Sequence, residues 1–161
     1  SAQRWMNWRG CWMGKELTRF KYEKSSWLAY VRACDFLAVA SELDNQEDLK
    51  LSPLVVNAAF ACELFLKALL IWKYKKKISG HKLKELFQQL DDETKIEIQQ
   101  EVDILDWDFF LDEANQAFIK WRYLHEKDEA VRISVSELIG FAEGLKKIYA
   151  RKVLDKTKKL L

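Results

Sequence analysis

Turn-forming residues are scarce in this chain of 161 residues. It contains one proline and five glycines, whereas a protein of many short strands needs more of both at its turns. Nearly half of the residues are hydrophobic and 13% are aromatic, a composition that excludes a disordered chain. The scarcity of turn residues therefore favours long helices with short connections, and the length fits one domain with a real core.

Cysteine and histidine are also rare. The three cysteines, Cys11, Cys34 and Cys62, have no short metal-type spacing, and their odd number excludes a complete disulfide framework. Cys34 and Cys62 lie in apolar helical runs and are interpreted as small core residues in a reducing cytoplasm. No glycine-rich phosphate loop is present, and no set of histidine, cysteine and carboxylate residues has ligand spacing. We therefore expect no metal and no cofactor.

Sequence patterns of secretion and membrane insertion are missing. The N-terminus is rich in tryptophan and arginine without the continuous apolar core of a signal peptide. The stretch from Leu54 to Trp72 is nearly long enough to span a membrane, but Glu63 and Lys67 lie inside it. Each central charge opposes insertion by about 2.5–3.5 kcal/mol. The sequence therefore predicts a soluble cytoplasmic protein in which this stretch is a buried helix.

The net charge of +2 conceals an uneven distribution. Residues 85–113 contain eleven carboxylates and one base, Lys95. Such blocks create local fields that the net charge does not reveal. A lysine surface would suit a phosphate-rich partner, and it would equally suit a solvated helix face. The lysine block contains no acid and comprises Lys73, Lys75, Lys76, Lys77, Lys82 and Lys84.

The first long helix is predicted from Ser26, a plausible N-cap, to about Leu43. A backward extension over Leu17 to Lys24 is an alternative. Residues 1–25 are interpreted as a tryptophan-rich N-terminal arm, and residues 26–161 as a single helical domain. The predicted buried stripe recurs at three- and four-residue steps and consists of Trp27, Tyr30, Val31, Cys34, Leu37 and Ala38.

The central helix is apolar on every side, which predicts that other helices enclose it. Ser52 is the expected cap and Pro53 the first helical residue. The helix should run to about Lys77, and Gly80 can supply the left-handed residue that ends it. Two shorter helices follow in the prediction, covering residues 81–90 and 92–105.

The last two long helices carry clear apolar periods. The first runs from Asp106 to about Lys127, and an extended piece follows at 130–133. The final helix starts at Ser134 or Ser136. The predicted buried face of the first is Trp107, Phe110, Leu111, Ala114, Ala117, Phe118, Trp121 and Leu124; that of the second is Leu138, Phe141, Ala142, Leu145, Ile148 and Tyr149. Gly140 and Gly144, four residues apart, would allow close approach of a neighbouring helix. The predicted fold is an all-α, mostly antiparallel bundle of about five to six helices.

Charged residues within these apolar helices are the candidates for function. Glu63 and Lys67 are spaced to pair along the helix, and they could accept Arg122 and Glu126 from a facing helix. Such a buried polar network, comprising Glu63, Lys67 and Glu126, would fix helix register more than it would add stability.

Arginine and histidine side chains suggest a second kind of site. Arg122 and His125 lie on one side of a helix, where a cation could bind phosphate while the imidazole moves a proton, as RNA cleavage requires. Alternatively, Arg122 neutralises a buried carboxylate and His125 ends a core face. His81 follows Gly80 between lysines. It is either a phosphate- or base-contacting residue, together with Lys76, Lys77 and Lys82, or a turn residue bonded to nearby backbone.

Three segments together resemble the HEPN-domain family of prokaryotic helical toxins, defence proteins and RNA-processing factors. They are AAFACELFLKALL at 58–70, SGHKLKELFQQL at 79–90 and AFIKWRYLHE at 117–126. The resemblance covers roughly residues 26–148. It implies a helical bundle, dimerisation in many members, and in many a metal-independent RNA cleavage by an Arg-x(4–6)-His motif.

The chain departs from that motif because only two residues separate Arg122 from His125. The leading prediction is therefore an RNA- or partner-binding module of a prokaryotic defence or toxin–antitoxin system without the family's nuclease activity. One alternative is a metal-independent endoribonuclease that uses Arg122 and His125, and another is a structural dimerisation subunit. The expected partners are a second copy, RNA, and a nucleotidyltransferase or antitoxin, with no membrane.

Overall fold

The computed structural model describes residues 2–47, 51–122 and 134–158, with side chains for 14–47, 51–115 and 134–156. Every element in these ranges is helical, and the prediction of an all-α bundle is confirmed. In chain order the elements are α1 (Ala2–Asp44), α2 (Leu51–Tyr74), α3 (Leu83–Gln88), α4 (Asp92–Glu101), α5 (Trp107–Arg122), α6 (Val135–Tyr149), a π-helical turn (Ala150–Leu154) and α7 (Asp155–Lys158).

The central helix α2 is enclosed as its composition predicts. It packs against α1, α3, α5 and α6, and twelve of its residues are buried. It is the one helix in the described ranges that is long and apolar enough to cross a membrane, yet 67% of its most apolar window is buried inside the bundle. It begins at Leu51, so Ser52 lies in the first turn and does not precede it. Pro53 still lies in that turn, where the missing N–H costs nothing.

Helix α1 differs from the prediction at its start. It is continuous from Ala2 to Asp44, so Ser26 is a mid-helix residue and not an N-cap. The buried positions are Ser26, Tyr30, Ala33, Leu37 and Ala40, spaced by alternate steps of four and three as in coiled-coil seams. Small residues at three of these positions let α1 approach α2 closely. Of the predicted stripe, Tyr30 and Leu37 are buried, whereas Trp27 and Ala38 are exposed.

A buried hydrogen-bond chain explains the serine inside α1. Ser26 Oγ donates to the carbonyl of Ala68 in α2 at 2.8 Å and lies 2.9 Å from the hydroxyl of Tyr149 in α6. Because the serine proton is used on Ala68, the Tyr149 hydroxyl is the donor in the second bond. Burial raises the pKa of Tyr149. These two hydrogen bonds link three helices and satisfy polar groups that would otherwise have no hydrogen-bond partner in the core.

Removing the tyrosine hydroxyl should have a modest effect. Tyr149→Phe leaves the bond from Ser26 to Ala68 intact and keeps the ring that stacks on Tyr30 at 4.4 Å. We expect a loss of about 1 kcal/mol in the free energy of unfolding, the net value of one hydrogen bond. Urea denaturation of wild type and variant measures it. A loss above about 3 kcal/mol would contradict this account, because one neutral hydrogen bond does not supply so much.

The connection after α2 begins earlier than predicted. The helix ends at Tyr74 and not at Lys77, and the left-handed residue that follows it is Lys75, with φ 48°. Gly80 also has a positive φ, 94°, but it lies in the turn before α3. The predicted helices at 81–90 and 92–105 are shorter than expected, at Leu83–Gln88 and Asp92–Glu101.

Helix α6 matches its prediction. Ser134 is the N-cap, because its side chain accepts a hydrogen bond from the backbone N–H of Glu137, and all six residues predicted to face inward are buried. In α5, Phe110, Leu111 and Ala114 are buried as predicted, whereas Trp107 at the start of the same predicted face is only half-buried. The predicted face beyond Asn115 has no described side chains. The predicted extended piece at 130–133 lies outside the described residues.

Candidate functional site

A buried carboxylate in the middle of α2 holds two cationic or protonatable partners. Glu63 Oε1 accepts a hydrogen bond from Lys67 Nζ at 2.7 Å, one turn further along the helix. The same oxygen lies 2.9 Å from Nδ1 of His81, which comes from the connection between α2 and α3. The exposed fractions are 3% for the Glu63 side chain, 15% for Lys67 and 72% for His81. The buried carboxylate of Glu63 therefore contacts the mostly exposed imidazole of His81.

The bond to Glu63 fixes the orientation of the His81 ring. An ionised carboxylate only accepts hydrogen bonds, so Nδ1 of His81 is the donor. In the neutral ring, Nε2 is then the remaining acceptor, and it belongs to a side chain that is mostly exposed. Lys67 supplies the charge that keeps Glu63 compatible with burial. The arrangement therefore leaves Nε2 as the free acceptor of a mostly exposed ring in a defined tautomer.

The connection that carries His81, residues 75–82, is named the basic loop here. Ile78 is buried and anchors its middle, and His81 anchors its end through Glu63. The side chains of Lys76, Lys77 and Lys82 are exposed. The sequence singled out these three lysines with His81 as binding residues, and the structure places all four on this one loop.

Tertiary contacts offset much of the lysine block. Lys73 pairs with Asp91 at 2.6 Å, Lys75 with Glu23 at 3.3 Å, Lys82 with Glu85 at 2.9 Å, and Lys84 with Asp112 at 2.5 Å. The segment has no acid of its own, but the fold brings acids to it from α1, from the N-cap of α4 and from α5, and Glu85 follows it directly in α3. The ion pairs of the described residues include neither Lys76 nor Lys77. Lys76 Nζ lies over the ring of Tyr74, 5.6 Å from its centroid, and within the described residues neither of these two lysines is offset by an acid.

A groove of about 400 Å³ opens between the N-terminal half of α1, the end of α2 and the start of α4. Several cations line it, but Lys73 is paired with Asp91 and Lys75 with Glu23. Partial burial would raise the pKa of Asp91, yet the bonds from Lys73 and Thr94 outweigh it and lower this pKa to about 2. Asp91 is thus ionised at neutral pH, and the groove offers less unpaired positive charge than the basic loop.

The structure also shows how α3 is held against α5. Asn115 Oδ1 accepts a hydrogen bond from the backbone N–H of Lys84 in the first turn of α3 at 3.1 Å, where local side chains provide no cap. Sequence reasoning missed Asn115, and it also missed the contact of His81 with Glu63. Neither contact has a signature in local spacing, because each joins residues that only the fold brings together.

The predicted catalytic pair lies largely beyond the described residues. Arg122 is the last residue of α5, and its backbone alone is described. His125 and Glu126 fall outside the described ranges, so the predicted contact of Glu126 with Glu63 and Lys67 stays a prediction. Within the described part of the chain, no group of three histidine, cysteine or carboxylate residues could hold a metal ion.

The thiol of Cys62, in the central helix α2, lies in the hydrophobic core. Cys62 is fully buried, and its Sγ donates to the carbonyl of Leu138 at 3.6 Å. Burial raises the pKa of this thiol, which keeps it protonated at neutral pH and unreactive.

Comparison with known proteins agrees with the helical architecture. Neither the curated proteins nor the solved structures gave a match. A family model for the HEPN domain matches residues 27–160, which extend from the buried half of α1 past the end of α7. The match includes the Glu63–Lys67 pair and the basic loop. This chain belongs to the HEPN-domain family.

Proposed function

We propose that this HEPN domain is an RNA-binding module of a prokaryotic defence or toxin–antitoxin system that acts without cleaving RNA. The observation that supports it is the exposed His81, held by a buried Glu63 on the same loop as the exposed lysines Lys76 and Lys77. The short spacing between Arg122 and His125 supports the non-cleaving form.

The chemistry of the basic loop suits a single-stranded RNA. Lysine ammonium groups bind phosphates as point charges, and they account for most of the sequence-independent affinity of such interfaces. The Nε2 of His81 can accept a hydrogen bond from a 2′-hydroxyl or a base edge, and an exposed imidazole can stack on an unpaired base. Glu63 acts through His81 by fixing its tautomer and position.

Removing Lys76 and Lys77 should weaken RNA binding and flatten its salt dependence. If Lys76 and Lys77 each contact one phosphate, the Lys76→Ala/Lys77→Ala variant should lower the slope of log K against log salt by about 1.4. Affinity at low salt should fall about tenfold. Fluorescence anisotropy with a labelled single-stranded RNA, repeated over a series of salt concentrations, measures both.

The matched control removes two positive charges outside the basic loop. Lys15 and Lys146 are exposed lysines on α1 and α6, and Lys15→Ala/Lys146→Ala should leave the slope unchanged. An equal loss in both double variants would show that binding follows the net charge of the chain and not the basic loop. A wild-type chain that retains no RNA even at low salt would rule out the proposal.

The alternative function is a metal-independent endoribonuclease that uses Arg122 and His125. One observation favours it: Arg122 lies seven residues beyond Asn115, which contacts α3 close to the basic loop, so RNA bound there lies near α5. Incubation of labelled RNA with the protein in EDTA separates the two functions. The binding module leaves the RNA intact, whereas cleavage that is lost in His125→Ala would identify the enzyme.

A third function, a structural dimerisation subunit, is separated by the same set of measurements. Its signature is a stable complex with a co-expressed partner, such as a nucleotidyltransferase or antitoxin, together with no RNA affinity in the anisotropy titration.

A further inference from the structure

An exposed aromatic ring lies where the basic loop begins. Tyr74 is the last residue of α2, and its exposed fraction is 42%. Its hydroxyl donates a hydrogen bond at 3.1 Å to the carbonyl of Gln89, the C-cap residue of α3. The ring is therefore held at both ends, by the helix that carries it and by the bond to a second helix. A large ring that is already fixed at the surface loses little conformational freedom when a ligand binds to it.

Tyr74 lies on the same face of α2 as the pair of Glu63 and Lys67. The steps from Glu63 to Lys67 and from Lys67 to Tyr74 are four and seven residues, and such steps keep side chains on one side of a helix. Along the helix axis, Tyr74 is about 16 Å from Glu63. The basic loop starts after Tyr74 and returns to Glu63 through His81. It therefore runs back along this face, with one exposed ring at its start and another near its end.

An ammonium group lies beside the tyrosine ring. The Nζ of Lys76 is 5.6 Å from the ring centroid, within the range of a cation–π contact. Lys76 can reach back over Tyr74 because Lys75, with φ 48°, turns the chain at the end of α2. Proteins that bind single-stranded nucleic acids combine aromatic rings, on which bases stack, with basic side chains along the backbone. The start of the basic loop contains both.

We propose that Tyr74 is a base-stacking platform of the RNA site, with an unpaired base on its ring and the adjoining phosphate at Lys76. This inference rests on the proposed RNA-binding function and assigns a further binding residue to it. Because the ammonium group lies over one face of the ring, the base stacks on the opposite face. The strand then follows the basic loop from Tyr74 towards His81. Bases in a duplex are already stacked on one another, so the platform selects single strands.

Removing the ring should weaken the binding of single strands alone. We expect Tyr74→Leu to raise the dissociation constant for a labelled single-stranded RNA about tenfold, within the range of one base–aromatic stack. The affinity for a fully paired duplex of the same sequence should stay within about twofold of wild type. The slope of log K against log salt should not change either, because a stacked base releases no counterions. Fluorescence anisotropy over a series of salt concentrations measures all three quantities.

Two further variants are the matched controls. Tyr74→Phe keeps the ring but loses the bond to Gln89, and it should bind single-stranded RNA within about threefold of wild type, since that bond is a single neutral one. Phe109→Leu removes a ring that is 58% exposed on α5, outside the basic loop, and it should leave binding unchanged. A loss in Tyr74→Phe as large as in Tyr74→Leu would show that the tyrosine supports the end of α3 and does not stack on a base.

The possible failures of the two proposals are distinguishable. If Tyr74→Leu binds single-stranded RNA as tightly as wild type, or loses equal affinity for single strands and duplex, the platform is overturned while RNA binding by the basic loop stands. A wild-type chain that retains no RNA even at low salt overturns both.

Discussion

Lys67→Met is expected to destabilise the protein by about 3–5 kcal/mol, the usual cost of removing one partner from a buried ion pair. The substitution leaves the Glu63 carboxylate, 3% exposed, with His81 as the one partner among the described side chains that can offset its charge. For a chain of this size the loss corresponds to a fall of roughly 6–20 °C in melting temperature. Calorimetry at neutral pH, together with urea denaturation, provides the measurement.

The control for this prediction comes from the same helix. Lys73 pairs with Asp91 at 2.6 Å, much as Lys67 pairs with Glu63 at 2.7 Å, but Lys73 lies at the surface. Lys73→Met should therefore cost less than about 1 kcal/mol, because exposed pairs contribute little. Equal losses in the two variants would show that burial is not what makes the Glu63 pair important.

A double substitution separates the pair from its effect on His81. Glu63→Met/Lys67→Met replaces both charges with apolar groups of similar length, and a change of this kind is often neutral in a buried site. We expect stability near that of wild type but weaker RNA binding, since the imidazole of His81 loses the acceptor that orients it. A double variant as unstable as Lys67→Met would show that the site requires charge for folding and not only for orientation.

The sequence predicts the parts of this fold that depend on local pattern. An all-apolar helix must be enclosed, and α2 is. The apolar period of α6 follows from the same kind of reasoning and is confirmed, and of the two serines predicted to start this helix the structure selects Ser134 as the cap. The prediction was wrong where a local signal competes with a tertiary one. Serine is a common N-cap residue, but Ser26 lies inside a continuous helix, where its hydroxyl forms hydrogen bonds with a carbonyl of α2 and a hydroxyl of α6.

The candidate site shows a second limit of sequence reasoning. Spacing along one helix predicts the pair of Glu63 and Lys67, which the structure contains. The third member, His81, is eighteen residues from Glu63 along the chain, and its approach depends on where the basic loop folds back over α2. For the same reason the sequence could not show that Glu23, Asp91 and Asp112 offset the lysine block.

The contact between α4 and α6 depends on a single missing side chain. A Cβ atom added at Gly144 would overlap a methyl group of Val102, whereas one added at Gly140 would lie 3.9 Å from Val102, an ordinary contact. The sequence suggested both glycines for close approach, and only Gly144 needs it. Val102 is buried, at 6% exposure, and its branched side chain has little rotational freedom, so the connection after α4 would have to shift.

Gly144→Ala is therefore expected to destabilise the protein by about 2 kcal/mol, the middle of the range for overpacking. Gly140→Ala, the matched control, should stabilise by up to about 1 kcal/mol, because alanine is the better helix former. Denaturant titrations of the two variants would then differ by about 3 kcal/mol, the sum of the overpacking loss and the propensity gain. Adding Val102→Ala should recover part of the Gly144→Ala loss by removing the overlapping methyl. If the two glycine variants were equally stable, α6 would have room to move away from Val102, and packing at Gly144 would not fix the position of α4.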